Sequence, residues 1–242
     1  MADTKIPKII HLCWFGHGEY DEKMKHCLKT WEEFAPDYKV MKWDEDTFDL
    51  DSCTYVRQAY DKKRWAFVTD YVRFKVLQQY GGIYMDTDME LVKPLDDLLD
   101  NETVLSFKQQ ALGMKQFGLT SGIIMTKANN TLFNPLIEQF EARSYINESG
   151  EEDVTPIAKF LTDLLRDRGI RQDNTLQSID GVTVYPNEYL CPTIDLDNNT
   201  GDVEVTENTY AIHHFTGTWR TPDIMEKIME KVRNAKEGEN VV

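Results

Sequence analysis

Apolar residues occur in short runs that alternate with longer segments of helical periodicity. The run at residues 9–15 (IIHLCWF) ends in a Gly-His-Gly turn and predicts a buried strand. A helix is predicted for residues 21–34, ahead of Pro36, and a second strand for residues 38–43. Strand, helix and strand at this spacing form a βαβ unit. The pattern therefore predicts an α/β fold with a mostly parallel central sheet flanked by helices.

The rest of the chain continues this alternation. Residues 64–80 predict one long helix that Gly81 caps, and residues 83–85 predict the strand that follows it. Further elements are predicted as strands at 104–107, 122–125, 182–185 and 209–213, a helix at 155–168, and an amphipathic helix that begins at Pro222. The sequence shows no repeat and no long linker, so we expect one domain over residues 1–242.

Two carboxylates, Asp86 and Asp88, stand at the end of the apolar strand in the stretch GGIYMDTDME. At positions i and i+2 of a continuing strand they would share one face, and the carboxyl ends of strands are where α/β sheets bind ligands. Such a pair suits a hard divalent cation. The alternative is an exposed turn whose carboxylates face water. A calcium loop is excluded, because Leu91 stands where that loop requires glycine.

The charge composition limits the classes of molecule that the protein can bind. The 242 residues include 27 basic and 42 acidic side chains, a formal net charge of −15, which would repel nucleic acid. An anionic substrate then needs a metal ion or a local basic cluster where it binds. The chain has no signal-peptide pattern and no apolar run that could span a membrane, so a cytoplasmic location is expected. Four scattered cysteines suggest neither zinc nor disulfides.

Three stretches together resemble a known family. The stretch RWAFVTDYVRFKVLQQYGGIYMDTDMELVKPL resembles the donor-binding core of sugar-nucleotide glycosyltransferases of family 32. That family includes yeast-type initiating mannosyltransferases and bacterial capsule enzymes, and the glucosylating domains of clostridial toxins are related to it. IPKIIHLCWFG resembles the opening strand of the family and AIHHFTGTW its closing motif, so the resemblance covers residues 6–220. The part at 101–207 is less distinctive.

The resemblance implies a single-domain, Rossmann-like GT-A fold. Its donor-binding half would span about residues 6–100, its acceptor-side half about 101–220, and its C-terminal helix about 221–236. Asp88 would bind the metal directly, while Asp86 would contact the ribose or the waters of the metal. One of His213 and His214 would complete the metal shell, since neighbouring residues on a strand face opposite ways. Imidazole would favour Mn²⁺ over Mg²⁺.

Four further residues match donor-binding positions of the family. Trp14 would stack on the nucleobase, and Trp219 would donate a hydrogen bond to the leaving phosphate. Asp70 and Arg73 would hold the ribose and the sugar hydroxyls, with the Arg73 charge near the phosphates. The alternatives stay open: core packing for the two tryptophans, and a structural ion pair for Asp70 and Arg73.

The implied reaction is a metal-dependent transfer of a sugar, with retention of configuration, from a nucleotide sugar, expected to be a UDP-sugar. Asp86, Asp88 and Arg73 would form the catalytic set. Because no nucleophilic glutamate stands in a named motif, front-side displacement is the hypothesis for the mechanism. The acceptor would be a glycan or a lipid-linked saccharide of bacterial capsule or exopolysaccharide synthesis.

The C-terminal helix carries basic residues beside its apolar stripe, namely Lys227, Lys231, Arg233 and Lys236. Two interpretations stay open for it. Either the helix rests on the anionic inner face of the plasma membrane, or it packs on the domain with its lysines in water.

Two other functions compete with the transferase. A metal-dependent phosphohydrolase also uses a D-x-D after an apolar strand, although there the pair normally ends the first strand of the fold. A non-catalytic protein that binds sugar nucleotides would keep the same motifs without turnover.

Overall fold

A seven-stranded sheet forms the centre of the computed structural model, which describes residues 5–108, 116–193, 203–217 and 219–239, with side chains described up to residue 230. The strand order is β2-β1-β3-β6-β5-β8-β7, and β4 and β9 form a separate two-stranded sheet. The strands are Ile9–Cys13 (β1), Lys39–Trp43 (β2), Gly82–Met85 (β3), Met89–Leu91 (β4), Thr103–Ser106 (β5), Ile123–Thr126 (β6), Gln177–Ile179 (β7), Val182–Tyr185 (β8) and Ala211–His213 (β9).

Seven α-helices accompany the sheets within the described part of the chain. They are Glu22–Phe34 (α1), Thr54–Asp61 (α2), Trp65–Tyr80 (α3), Asn134–Glu141 (α4), Ile157–Asp167 (α5), Asn187–Leu190 (α6) and Pro222–Glu239 (α7). The predicted α/β class is confirmed. The central sheet is more mixed than predicted: β1 pairs in parallel with β2 and β3, and β5 with β8, while the other three pairings of this seven-stranded sheet are antiparallel.

The opening βαβ unit has the predicted form. The Asp21 carboxylate caps α1 by accepting a hydrogen bond of 2.8 Å from the Met24 backbone N–H, and the helix ends ahead of Pro36. The chain then returns as β2, in parallel register with β1, so that Ile9 pairs with Lys39. Strand β2 thus forms one edge of the sheet, and β1 pairs with β3 on its other side.

Two apolar layers cover the faces of the sheet. In β3, Ile83 and Met85 pack into one layer with Trp31 of α1, while Tyr84 faces the other layer. This alternation is the period of two that a strand imposes on its side chains. Helix α3 is buried along most of its length on the second face, and the chain leaves it through Gly81 at φ +62°. A Cβ there would lie 2.3 Å from the Ala128 backbone nitrogen, so glycine is required.

Some elements differ from the prediction. Helix α5 begins at Ile157, with Pro156 as its N-cap residue, rather than at Thr155. The short elements α2, α4, α6, β4 and β7 are absent from the prediction. Helix α7 begins at Pro222 as predicted, but the side chains of Lys231, Arg233 and Lys236 lie outside the described residues.

Candidate active site

The sequence suggested that the D-x-D pair lies on a continuing strand. In the structure the pair lies on a turn instead. Strand β3 ends at Met85, and the Met89 backbone N–H donates a 3.0 Å hydrogen bond to the Asp86 carbonyl. The Asp86 backbone N–H donates to the Gly122 carbonyl at 2.8 Å, which fixes the start of the turn beside β6. This turn carries the chain out of the central sheet and into β4, which begins at Met89 and belongs to the second sheet.

That second sheet brings a histidine to the turn. Strand β9 runs antiparallel to β4 with His213 opposite Met89, so His213 lies beside Asp88. The His213 Nε2 is 3.3 Å from Asp88 Oδ1 and 3.8 Å from Asp86 Oδ2. One ligand atom from each of these three residues lies within 4.8 Å of the other two. Residues from two distant parts of the sequence therefore form one cluster, which we call the DDH cluster.

The structure separates the two histidines that the sequence left as alternatives. His214 Nε2 lies 2.6 Å from Glu90 Oε2, and His26 approaches the other oxygen of Glu90 at 3.4 Å. Adjacent residues at the end of β9 thus have different partners. Only His213 is brought together with the two aspartates.

In each aspartate, one carboxylate oxygen accepts hydrogen bonds from neighbouring residues and the other oxygen faces His213. Asp88 Oδ2 accepts hydrogen bonds from the Thr216 backbone N–H and hydroxyl, both at 2.9 Å. Asp86 Oδ1 accepts a hydrogen bond from the Tyr84 hydroxyl and a longer one, 3.5 Å, from Arg73. The remaining oxygens, Asp86 Oδ2 and Asp88 Oδ1, face the His213 Nε2.

The charges of the cluster favour a cation between these atoms. Burial alone would raise the pKa of Asp88, but hydrogen bonds from His213 and Thr216 hold it well below its ordinary value. Burial alone would lower the pKa of His213, yet its interactions with Asp88 and with the nearby Cys191 raise it to about 10. Without metal, His213 is therefore protonated at neutral pH. Its positive charge lies beside the two carboxylates, which attract it.

The donor set fits a divalent metal ion. Two carboxylates and one imidazole are ligands that Mn²⁺ accepts, and a metal would take the place of the proton on His213. Gly122 leaves the space that this arrangement needs. A Cβ at that position would lie 2.6 Å from His213 Cε1 and 3.1 Å from Asp86 Oδ2. Any larger residue would push the imidazole away from the aspartates.

Asp70 and Arg73 form a buried pair directly behind the cluster. An Arg73 Nη donates a 2.7 Å hydrogen bond to Asp70 Oδ1, and the other Nη donates to the Ser121 carbonyl at 2.7 Å. The guanidinium lies 4.5 Å from the centroid of the Tyr84 ring. Burial raises the pKa of Asp70 to about 7, although the charge of Arg73 acts in the opposite direction. Both residues also line the cavity, so a ligand there could contact them although they form an ion pair with each other.

A cavity of about 630 Å³ joins the predicted residues. Its lining includes seven of the eight residues predicted from the sequence, and His214 is the exception; the seven are Trp14, Asp70, Arg73, Asp86, Asp88, His213 and Trp219. This volume falls within the range of small-molecule sites.

The two predicted tryptophans line the cavity with half-buried rings. The Trp14 ring packs against Tyr20 with centroids 4.7 Å apart, and its N–H donates to the Gly18 carbonyl at 2.6 Å. The Trp219 ring lies 6.1 Å from that of Phe67. Both rings thus have packing partners and also face the cavity, so the two interpretations of each residue are compatible.

Helix α7 forms one wall of the cavity through Ile224, Met225 and Ile228. Ion pairs hold this helix in place. Arg64 pairs with Glu152 at 3.0 Å and also with Asp223 of α7, and Lys227 of α7 pairs with Glu152 at 2.8 Å. We call these four residues the α7 latch.

Several residues that shape the site were not predicted from the sequence. Tyr84, Gly122 and Thr216 position the DDH cluster, and Lys108 lines the cavity. The Y-x-D-x-D spacing would have pointed to Tyr84, and the Thr-Gly pair after His-His would have pointed to Thr216. Nothing in the local sequence distinguishes Gly122 or Lys108.

Sequence comparisons relate this site to known proteins. Residues 21–105 match the family described as a glycosyltransferase sugar-binding region containing a DXD motif. Inositol phosphoceramide mannosyltransferase 3 of Schizosaccharomyces pombe is 34% identical over 98 residues, which cover 39% of this chain and 27% of that protein. An uncharacterised glycosyltransferase of Acanthamoeba polyphaga mimivirus is 26% identical over 231 residues, which cover 88% of this chain and 84% of that one. The match thus spans about a quarter of the fission yeast protein.

Solved structures show weaker likenesses. PaToxG glycosyltransferase has a TM-score of 0.49 and 19% identity, over 67% of this chain and 70% of that one. A glycosyltransferase involved in the glycosylation of the major capsid of PBCV-1 has a TM-score of 0.48 and 9% identity, over 87% of this chain and 95% of that one. Among the described residues, no helix combines the length and apolar character that crossing a membrane requires.

Proposed function

We propose that this chain, whose residues 21–105 match the glycosyltransferase sugar-binding region containing a DXD motif, moves a sugar from a nucleotide-sugar donor to a saccharide-bearing acceptor with the help of a divalent metal ion. Donor binding is assigned to about residues 6–100 and acceptor binding to about 101–220. The residues of the donor site come from both parts, since His213 lies in the second.

The observation that carries this proposal is the DDH cluster. Its free ligand atoms, Asp86 Oδ2, Asp88 Oδ1 and His213 Nε2, converge at the wall of a cavity large enough for a sugar nucleotide. When bound, Mn²⁺ or Mg²⁺ supplies a Lewis acid that stabilises the charge growing on the nucleoside diphosphate as the sugar leaves. The imidazole ligand favours Mn²⁺.

The chain's own residues bind and orient the donor. We assign Trp14 to stacking on the nucleobase and Trp219 to an N–H hydrogen bond with the leaving phosphate. Arg73 directs its charge toward the phosphates, and Asp70, which Arg73 holds, accepts hydrogen bonds from the ribose and sugar hydroxyls. Tyr84 and Thr216 keep the two aspartates in orientation through their hydrogen bonds.

We propose that the transfer retains the anomeric configuration by front-side displacement. In this step the departing phosphate oxygen takes the proton of the acceptor hydroxyl while the new glycosidic bond forms on the face that the phosphate leaves. A carboxylate nucleophile would instead leave a covalent sugar adduct. Mass spectrometry of the enzyme trapped with donor alone would detect that adduct and overturn front-side displacement.

Two observations favour different classes of donor and acceptor. The family resemblance favours a UDP-sugar and a glycan or lipid-linked saccharide of bacterial capsule or exopolysaccharide synthesis, at the cytoplasmic face of the membrane. The name of the fission yeast relative favours a second candidate: mannose as the sugar and a phosphoinositol-bearing sphingolipid as the acceptor. The two differ in donor base and in the charge of the acceptor.

One experiment tests the proposed function. The melting temperatures of wild type and of an Asp86→Asn/Asp88→Asn variant are measured with UDP, GDP and CDP, with and without Mn²⁺. A Mn²⁺-dependent rise with one nucleotide, absent in the variant, is expected and would name the base, since a ligand of the folded state stabilises it. Equal behaviour of the two proteins with every nucleotide would contradict the proposal.

Turnover assays separate the competing functions. A transferase without acceptor is expected to hydrolyse its donor slowly, releasing free sugar and nucleoside diphosphate. A phosphohydrolase would release inorganic phosphate from small phosphoesters. A binding protein would give the Mn²⁺-dependent thermal shift with neither product.

A further inference from the structure

Lys108 lies at the inner wall of the cavity, directly after β5. Its backbone N–H donates to the Gly118 carbonyl at 2.9 Å, and its side chain packs closely there, since a Cβ on Gly118 would lie 3.2 Å from Lys108 Cε. Thr120 and Ser121, which follow Gly118 by two and three residues, also line the cavity. They lead to Gly122, which contacts the DDH cluster. Lys108 thus faces the same cavity as the proposed metal site.

This lysine differs from the other partly buried cations of the cavity. Arg73 pairs with Asp70, and Arg64 pairs with Glu152. Within the described parts of the chain, no carboxylate forms an ion pair with Lys108. Lys63 and Arg220, which also line the cavity, form no ion pair with the described residues either, but both are exposed, whereas Lys108 is partly buried.

The position of Lys108 is unfavourable for a charge. Burial lowers the pKa of its ammonium group; Cys191 opposes this effect and the charge of Arg220 adds to it. Placing a charge in a partly buried site without a partner costs free energy, so a residue kept there at the expense of stability suggests a ligand.

We propose that Lys108 binds a phosphate oxygen of the substrate. The phosphate belongs either to the diphosphate of the donor or to a phosphate of the acceptor. The ammonium group would donate a charge-assisted hydrogen bond to that oxygen, and the bound anion would supply the missing partner. This inference rests on the proposed transferase function and adds a contact on the acceptor-side half of the chain.

The test uses two variants of the full chain. Lys108→Met keeps the length and the apolar stem but removes the charge, and Lys108→Arg keeps the charge. Without ligand, Lys108→Met is expected to melt about 2–4 °C higher than wild type, because the unpaired charge is gone. Binding is then measured by calorimetry in Mn²⁺ with UDP, GDP and inositol 1-phosphate, and with uridine, guanosine and inositol as uncharged counterparts.

The outcomes separate the two sources of phosphate. If the donor supplies it, Lys108→Met binds the preferred nucleoside diphosphate about 10- to 100-fold more weakly, while Lys108→Arg stays near wild type and nucleoside binding is unchanged. If the acceptor supplies it, only the affinity for inositol 1-phosphate falls. Unchanged affinity for all three phosphates in Lys108→Met would overturn the role of Lys108. A wild type that binds no nucleoside diphosphate would instead overturn the proposed function.

Discussion

The two aspartates of the D-x-D motif occupy different environments, although one residue separates them. Both oxygens of each aspartate have hydrogen bonds or ion contacts, but the Asp88 side chain is only 10% exposed, whereas the Asp86 side chain is 27% exposed. Asp88 is therefore fixed in position before any ligand arrives. Asp86 is freer to turn one oxygen toward the waters of a metal or toward the ribose, the two roles that the family resemblance implies for it.

The histidines give the first prediction. His213→Ala removes a ligand atom from the DDH cluster and is expected to weaken Mn²⁺ binding by at least about tenfold, since even indirect support of a metal site contributes that much. His214→Ala is the matched control, because His214 pairs with Glu90, and its affinity for Mn²⁺ should stay near wild type. Electron paramagnetic resonance of free Mn²⁺ measures both. A larger loss in His214→Ala than in His213→Ala would show that His214 is the ligand.

Asp70 gives a prediction about pH. Its pKa in the folded state, about 7, lies above its ordinary value of 3.8, so between these values the folded chain binds more protons than the unfolded chain. The contribution of Asp70 to the free energy of unfolding therefore decreases as pH rises through this window and is constant above about pH 7. The whole change amounts to a few kcal/mol.

Asp70→Asn cannot titrate, so its free energy of unfolding relative to wild type should rise from pH 4 to pH 7 and then level off. Urea titrations at pH 5, 6, 7 and 8 measure this difference. A difference that is the same at every pH would mean that Asp70 keeps its charge in the folded protein throughout.

At the scale of elements, helix α7 is notable because it forms a cavity wall and is joined to the domain by ion pairs as well as by the buried side chain of Ile224. The latch joins it to the start of α3 through Arg64 and to the segment ahead of α5 through Glu152. Glu152 accepts from both Arg64 and Lys227, and its side chain is only 10% exposed. Two of the three ion pairs of the latch thus share the carboxylate of Glu152.

Glu152→Gln is expected to loosen α7. Removing the charge leaves Arg64 and Lys227 without their shared partner, which should lower the free energy of unfolding by roughly 1–3 kcal/mol. Trypsin should also cleave α7 faster. Glu226→Gln is the matched control, since Glu226 is exposed on the same helix and forms no ion pair with the described residues. Equal urea midpoints and cleavage rates in the two variants would contradict the latch.

The elements also show where sequence reasoning succeeds and where it stops. The strand β3 and the helix α3 were predicted because their own residues carry the apolar pattern and the glycine that ends the helix. The family resemblance is confirmed by the match over residues 21–105. Strand β4 was missed because its three residues are fixed by pairing with β9, and a distant pairing leaves no local signal.

The same limit applies to the site. The residue types of the D-x-D pair and of the two histidines pointed to a metal, but only the register of β4 and β9 distinguishes His213 from His214. The assignment of these residues to a working metal site remains a prediction. Gly122 and Lys108 matter through what surrounds them, so their local sequence could not reveal them.

For the whole molecule, the net charge of −15 is the dominant electrostatic feature. It should attract divalent cations and repel nucleic acid and anionic substrates, apart from the cavity, where Arg64, Arg73 and Lys108 bring positive charge to the wall. Absence of nucleic-acid binding stays a prediction. The α/β sheet, with the D-x-D turn directly after β3, agrees with the GT-A fold that the resemblance implies.

Salt dependence tests this electrostatic picture. Raising monovalent salt from about 10 mM to about 150 mM shortens the range of charge interactions from about 30 Å to about 8 Å, so Mn²⁺ affinity should fall severalfold as the surface charges are screened. Binding of uncharged uridine or guanosine should not change. Calorimetry at the two salt concentrations measures both. If Mn²⁺ affinity is the same in both, the DDH cluster alone determines it.

The pairing of β4 with β9 also bears on how the protein is made. Thr216 lies 128 residues after Asp88, yet it holds the Asp88 carboxylate, and His213 reaches the cluster only through the same pairing. A growing chain on the ribosome therefore carries the D-x-D turn long before it has the groups that complete the cluster. Closing so long a loop is entropically costly and slow. Because a metal could bind tightly only after β9 and Thr216 have been synthesised and have paired with β4 and Asp88, cellular Mn²⁺ would act after this pairing and would stabilise chains that have completed it over chains that have not.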